Sequence, residues 1–135
     1  MTLFKKIIEW NRERGILSRP FNHEKEISFI VEELLESTGN YDSNNARETA
    51  EEITKTITAD MNPTPEQIVD AFADIIVFAT GAIAKTGYDP DAVMDEVYKE
   101  INSRTGTMID GKFVKDPDAV RYHADFSNCR LADNT

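Results

Sequence analysis

The stretch TPEQIVDAFADIIVFATGAIAKTG, residues 64–87, gives the clearest indication of the fold. Its first letters predict the start of a helix, because Thr64 is a good N-cap, Pro65 suits the first helical position, and Gln67 completes a capping box with Thr64. The long apolar part that follows, AFADIIVFATGAIA, contains a single charged residue, Asp74. A helix that is apolar nearly all round is typical of a protein interior, so we expect this one to be buried in the middle of a bundle.

Four further helices are predicted from apolar residues that recur at spacings of three and four. The first ends near Gly15, the second follows Asn22, the third follows Asp42 or Ser43, and the fifth follows Asp89. The apolar faces of the second and third helices, which we expect to line the core, consist of Ile27, Ile30, Val31, Leu34, Leu35, Ala46, Ala50, Ile53 and Ile57. Helices joined by short links favour an all-α fold, a four- to five-helix bundle with a short irregular or hairpin C-terminal tail.

The length of the chain predicts one domain. It has 135 residues, of which 40% are hydrophobic, which is enough for one compact unit with a core. We place this domain at residues 1–115, and we place a polar C-terminal tail, expected to be partly disordered, at residues 116–135. The pair Asp110-Gly111 is a signal for a type I′ hairpin turn near the end of the domain.

The charge and the cysteine content exclude several classes of protein. Fifteen Lys and Arg residues stand against 25 Asp and Glu residues, a net charge of −10, which argues against nucleic-acid binding because such binding needs clustered cations. A single cysteine, Cys129, cannot form an intramolecular disulfide, and no Cys/His spacing suggests zinc. The N-terminus lacks the features of a signal peptide, and the longest apolar run, residues 75–84, is shorter than the ~20 residues that cross a bilayer. We therefore expect a soluble cytoplasmic protein that binds neither nucleic acid nor membrane.

Three glutamates of the second helix, Glu32, Glu33 and Glu36, lie on the side opposite its aliphatic residues. Phe29 lies on that same side, which indicates that the helix is covered on both faces. Carboxylates crowded there would repel one another unless a cation were bound between them. By contrast, the acids of the third helix point away from its apolar face and are expected on the surface; they are Glu48, Glu51 and Glu52.

The fourth helix carries two acids one turn apart, Asp70 and Asp74, which project from the same face. A buried Asp74 needs a partner, and two alternatives remain open: a structural Arg or Lys, or a metal shared with the glutamates of the second helix. Oxygen ligands on facing helices suit Mg²⁺ or Mn²⁺, and the other partner of protein-bound Mg²⁺ is usually a phosphate. The residues alone thus predict magnesium-dependent phosphate chemistry in an α-helical bundle.

Several motifs resemble those of the MazG-like superfamily of all-α nucleoside triphosphate pyrophosphohydrolases. EELLE at residues 32–36 matches the EExxE motif of this family. The second family motif, ExxD, is replaced by DAFAD at residues 70–74, which looks like the DAxAD version of a branch similar to phosphoribosyl-ATP pyrophosphohydrolase. EVYKEIN at residues 96–102 and DGK at residues 110–112 resemble the elements that follow in that branch. The likeness covers roughly residues 1–115.

The resemblance implies a reaction and a set of residues. The reaction is hydrolysis of an NTP or dNTP to the monophosphate and pyrophosphate, a step of nucleotide-pool housekeeping that depends on Mg²⁺, with Mn²⁺ as a substitute. The implied metal ligands are Glu33, Glu36, Asp70 and Asp74. Glu32 and Glu33 are the implied catalytic carboxylates, and Glu32 is either an additional ligand or the acceptor of the proton from the attacking water. The expected substrate-binding residues are Asn102, Arg104, Lys112 and Trp10, with Lys115 as a further cation for the phosphates.

Other readings remain open at this point. Hydrolysis of phosphoribosyl-ATP uses the same chemistry, whereas a non-catalytic acidic helical interaction protein belongs to a different class and would spread its acids over the exterior. Trp10 could pack in the core or at an interface instead of stacking on a base, and Asn102 could simply cap its helix. Because the resembling family forms dimers and tetramers, we expect a homodimer or homotetramer.

Overall fold

The computed structural model describes residues 1–110, 112–117 and 122–132. Over these residues the chain forms five helices and one two-stranded antiparallel hairpin, which confirms the predicted all-α class with a short C-terminal hairpin. The elements are α1 (Leu3–Glu13), α2 (His23–Glu36), α3 (Ser43–Ile57), α4 (Pro65–Lys85), α5 (Pro90–Ser103), β1 (Gly106–Ile109) and β2 (Lys112–Lys115).

Side-chain caps explain where the helices begin. The Thr64 hydroxyl accepts the Gln67 backbone N–H at 3.2 Å, and the Gln67 side chain accepts the Thr64 N–H at 2.8 Å, so the predicted capping box of α4 is confirmed. The N-caps of α2 and α5 are Asn22 and Asp89, as predicted, and the N-cap of α3 is Asp42, one of the two predicted candidates. These contacts are local, and the sequence alone therefore determines the helix starts.

The packing contacts divide the chain into two compact units. One is the α2–α3 helical hairpin, Arg19–Pro63, and the other combines Met1–Ser18 with Thr64–Thr135. The domain boundary expected at residue 115 stays a prediction.

The α2–α3 hairpin packs through small and polar side chains. Ala46, Ala50 and Thr54 of α3 are fully buried, and Ser28 and Glu32 of α2 are almost so. Small side chains at a contact allow two helix axes to approach closely. The burial predicted for Ala46 and Ala50 is confirmed.

The aliphatic residues of the same two helices lie largely on the outside. Leu34 is 67% exposed and Ile57 is 58% exposed, while Ile30 and Ile53 are exposed to a smaller extent. The expectation that these four residues line the core is therefore wrong within this chain. The physical reason is that α2 turns its polar side, which carries Glu32, toward α3.

Helix α4 is the most exposed apolar element. Val69, Val77 and Phe78 are 69%, 65% and 78% exposed, and the helix has no buried residue. The expectation that α4 lies buried in the middle of a bundle is wrong for the described chain. An apolar surface on every side indicates that a helix packs against something. It does not show that the packing partner belongs to the same chain.

One helix has the length and composition of a candidate membrane span. Among the described residues, Pro65–Lys85 alone is long and apolar enough to cross a bilayer by length and composition, with a mean hydropathy of 1.6. This helix is longer than the uninterrupted apolar run of residues 75–84 because it also contains charged residues such as Asp70 and Asp74. Core helices of soluble proteins share this length and composition, so the finding is weak evidence for a membrane.

The β-hairpin requires a glycine at its open end. Gly106 lies opposite Lys115, and a Cβ on Gly106 would meet the Val114 carbonyl oxygen at 2.1 Å. At the turn, Asp110 has a φ of +51°, as the first turn residue of a type I′ hairpin requires. Gly111, the second residue of the predicted turn, lies outside the described residues.

Residues 122–132, which we call the C-terminal strap, pack along α5 and do not form a disordered tail. The Asp89 N–H donates to the Cys129 carbonyl at 2.7 Å, and the Leu131 N–H donates to the Gly87 carbonyl at 3.0 Å. Cys129 is buried, and that burial raises the pKa of its thiol. The rest of the predicted tail past residue 117 lies outside the described residues.

Candidate functional site

Glu32 forms a buried ion pair. Its carboxylate Oε1 lies 3.0 Å from Nη1 of Arg47 on α3, and the side chains are 7% and 20% exposed. The Arg47 guanidinium also lies 5.1 Å from the centre of the Phe29 ring and 3.3 Å from the Glu51 carboxylate. No guanidinium nitrogen has hydrogen-bond geometry with the described residues, so charge and ring contacts hold the group.

This pair changes the interpretation of two predictions. The structural ion pair that the sequence allowed for Asp74 occurs at Glu32 instead. Phe29 does accompany the acids of α2, but its partner is a guanidinium. The only sequence signal for Arg47 is its place directly after Ala46 at the edge of the small-residue face of α3.

Glu33 and Glu36 lie near the C-terminal end of α2, three residues apart. Glu33 is exposed and Glu36, the last residue of the helix, is partly exposed. The C-terminal end of a helix carries partial negative charge, which adds to that of the carboxylates. Both acids therefore lie where a hard cation is electrostatically favoured.

Asp70 and Asp74 lie one turn apart on α4, as predicted, and both are exposed. The expected burial of Asp74 is wrong, for the same reason as the burial of α4. Within residues 1–110, 112–117 and 122–132, no three His, Cys, Asp or Glu side chains form a group that could hold a metal ion. The donor types in each carboxylate pair, Glu33 with Glu36 and Asp70 with Asp74, do fit Mg²⁺ or Mn²⁺, which prefer oxygen.

The C-terminal end of α5 carries Asn102 and Arg104 and is held by α1. The Trp10 indole N–H donates to the Ile101 carbonyl at 2.9 Å, and the Arg14 guanidinium donates to the Asn102 carbonyl at 3.1 Å. These donors satisfy helix-end carbonyl groups that have no partner in the helix. Asn102 itself is exposed.

Trp10 has packing partners on its face and at its edge. The Arg14 guanidinium lies 4.8 Å from the centre of the Trp10 ring, and the ring of Phe113 meets Trp10 edge-on with centroids 5.9 Å apart. This geometry agrees with the alternative interpretation of the sequence, in which Trp10 packs within the protein and does not stack on a base. The other two predicted cations lie on β2, where Lys112 is partly exposed and Lys115 is exposed.

Glu96, the first residue of EVYKEIN, holds the C-terminal strap. Its carboxylate accepts hydrogen bonds from the Tyr122 hydroxyl, from Lys99 Nζ at 2.9 Å and from the Asp125 N–H at 3.0 Å. The Tyr122 hydrogen bond, with that of Lys99 next in effect, lowers the pKa of Glu96 to about 2. The same contact raises the pKa of Tyr122. No sequence pattern predicts this role, because Tyr122 lies 26 residues from Glu96.

Comparison with known proteins gives one match. The family model described as phosphoribosyl-ATP pyrophosphohydrolase matches residues 11–100, two thirds of the chain. No curated protein and no solved structure matches the chain. The matched region runs from the end of α1 through most of α5 and contains both acidic motifs.

Proposed function

Since the chain belongs to the phosphoribosyl-ATP pyrophosphohydrolase family, we propose that it hydrolyses a nucleoside triphosphate to the monophosphate and pyrophosphate with Mg²⁺ as its cofactor. Membership makes the chain a pyrophosphohydrolase-type hydrolase of nucleotide metabolism. The family match is the single observation that carries the proposal, because it includes the acidic segments of α2 and α4 in one alignment. The resemblance of EELLE and DAFAD to the family motifs supports the same assignment.

The chemistry assigns roles to the chain's own carboxylates. Glu33 and Glu36 on α2, and Asp70 and Asp74 on α4, are the oxygen donors that we propose for Mg²⁺. When bound, Mg²⁺ supplies positive charge that offsets the negative charge of the triphosphate. Glu33 is also our choice for the group that accepts the proton of the attacking water, because Glu33 is exposed to solvent whereas Glu32 is buried against Arg47.

Phosphoribosyl-ATP is an equally supported substrate, because the matching family model is named for it. Both reactions release pyrophosphate and leave a monophosphate, so the same carboxylates serve either one. The third reading, a non-catalytic acidic bundle, was disfavoured by the expected burial of Asp74. Since Asp74 is exposed, that argument no longer holds, and the family match takes its place.

A product assay tests the proposal. The protein is incubated with Mg²⁺ and each of the common NTPs and dNTPs, or with phosphoribosyl-ATP, and the products are identified by anion-exchange chromatography. We expect monophosphate and pyrophosphate from at least one triphosphate, and no turnover in EDTA until Mg²⁺ or Mn²⁺ is restored. Turnover of phosphoribosyl-ATP alone would select the second candidate. Diphosphate and phosphate as products, or full activity in EDTA, would overturn the proposed chemistry.

The exposed apolar surface of α4 supports a homo-oligomer, and we propose that a second copy of the chain covers it. Two carboxylates, Asp70 and Asp74, lie on this helix, and charged side chains are costly in a bilayer. Residues as exposed as Val77 and Phe78 are instead suited to a protein interface. A homodimer or homotetramer in the cytoplasm fits these features.

We expect a mass of at least two chains by light scattering at micromolar concentration. Phe78→Glu places a charge in the apolar surface of α4 and should shift the mass toward that of one chain. Phe21→Glu is the matched control, because Phe21 is also largely exposed but lies in the segment before α2. A monomeric wild type, or equal effects of the two variants, would contradict the proposal.

A further inference from the structure

The C-terminal strap follows α5 along its whole length, from its last turn to its first. At the C-terminal end of the helix, the Tyr122 N–H donates to the Ser103 hydroxyl at 2.9 Å. At the N-terminal end, Arg130 pairs with Tyr88 in an isolated β-bridge, and its guanidinium lies 4.7 Å from the centre of the Tyr88 ring. The strap is therefore fixed to α5 at both ends.

Glu100 connects the strap to Arg104. Its Oε1 accepts the Ala124 N–H at 3.2 Å, and its Oε2 lies 3.3 Å from Nη2 of Arg104, one helical turn further along. The Glu100 and Arg104 side chains are 24% and 28% exposed, so this pair is less hydrated than an ordinary surface pair. One carboxylate thus joins a backbone group of the strap to a guanidinium at the end of α5.

The backbone around Arg104 is fixed independently of Glu100. Arg14 donates from Nη2 to the carbonyl groups of Asn102 and Arg104, at 3.1 and 3.4 Å. With the backbone held from α1, the direction of the Arg104 side chain depends on its contact with Glu100. Nε of Arg104 is buried and has no hydrogen-bond partner among the described residues, so no other protein group orients the guanidinium through that atom.

We propose that Glu100 is a positioning residue: it orients the Arg104 guanidinium toward the phosphates of the nucleotide, and it makes that orientation depend on the docked strap. The inference rests on the proposed function and on the expectation from the sequence that Arg104 binds the substrate. Glu100 engages one of the five N–H donors of the guanidinium, and the donors that remain suit phosphate oxygens. Fixing the side chain before binding reduces the entropy lost when substrate binds.

The glutamine variant separates this role from simple packing. In Glu100→Gln the amide oxygen can still accept the Ala124 N–H, but the NH₂ group that replaces Oε2 cannot accept from Arg104. We expect the strap to stay docked and the Kd for α,β-methylene-ATP in Mg²⁺ to rise about tenfold, the loss of roughly one charge-assisted hydrogen bond. If the wild type turns over a triphosphate, KM for it should rise by the same factor while kcat changes less than about twofold.

The control and the double variant make the test decisive. Asp95→Asn removes one negative charge from an exposed position of the same helix and should leave Kd unchanged. If Glu100 acts through Arg104, then Glu100→Gln should have almost no further effect in an Arg104→Met background. Additive effects of the two changes, or a Kd for Glu100→Gln equal to that of wild type, would overturn the proposal. Since Kd is measured without turnover, a protein that binds the analogue but releases no pyrophosphate would overturn the proposed reaction and leave the role of Glu100 supported.

Discussion

Replacing Glu36 by glutamine is expected to remove pyrophosphate release, with kcat/KM falling by ~100-fold or more. Loss of an outer partner of a metal ligand already costs ~10–100-fold, and Glu36 is proposed as a direct ligand. The amide has the shape of the carboxylate but no charge, so it binds a hard cation much more weakly. The measurement is the rate of pyrophosphate release from the preferred substrate over a range of Mg²⁺ concentrations.

The matched control for Glu36 is Glu52→Gln on α3. Glu52 is exposed, as the sequence predicts, and the proposed chemistry gives it no role. Its loss should change kcat/KM less than about twofold and the free energy of unfolding by less than about 0.5 kcal/mol. Equal losses of activity in the two variants would show that the site lies elsewhere. Recovery of Glu36→Gln at high Mg²⁺ would point to weakened binding of the cation.

The helices could be predicted from the sequence because the signals that start them are local. The hydroxyl of Thr64 and the amide of Gln67 are three residues apart, so their hydrogen bonds need no tertiary contact. The same holds for the turn at Asp110, whose positive φ is a property of the turn itself. Sequence motifs such as EELLE could also be identified before the structure was known, since identifying them requires no knowledge of packing.

The packing faces could not be predicted in the same way. The aliphatic side of α2 is the obvious candidate for a core, yet Leu34 is exposed and Glu32 is buried. Burial of Glu32 depends on Arg47, fifteen positions later on another helix, and a periodic pattern within α2 contains no information about that residue. The strap is a similar case, because Glu96 meets Tyr122 only after the chain has folded back along α5.

For Asp74, the burial of the helix and the burial of its carboxylate are separate questions, which the sequence alone does not distinguish. The apolar sequence of α4 predicts that the surface of the helix is covered, but it does not show that Asp74 is covered as well. In the described chain α4 is exposed and so is Asp74, hence no desolvation cost attaches to this carboxylate in the single chain. The proposed role of Asp74 as a ligand therefore rests on the DAFAD motif.

The largest expected effect on stability comes from Arg47→Met. Methionine keeps much of the apolar stem that packs near Phe29, but it leaves the 7%-exposed carboxylate of Glu32 without its guanidinium. Breaking a buried ion pair from one side costs ~3–5 kcal/mol, because an uncompensated charge remains inside. The measurement is the free energy of unfolding in urea at pH 7. The control is Arg12→Met: the Arg12 side chain is 59% exposed and its partner Glu9 is 40% exposed, so the change should cost only ~0–1 kcal/mol.

A double variant distinguishes an anchor from a ligand at the same position. In Glu32→Leu with Arg47→Met both charges are gone, and replacing a buried pair by apolar side chains is often neutral, so most of the lost stability should return. If Glu32 only anchors α2 to α3, the double variant should also release pyrophosphate at a rate within a few fold of wild type, since Glu33 and Glu36 remain. A stable double variant without activity would instead show that Glu32 takes part in the chemistry, as the resemblance to the EExxE motif first implied. Restored stability and activity together would assign Glu32 to the structure of the α2–α3 hairpin, and would leave the second and third glutamates of EELLE as the functional pair.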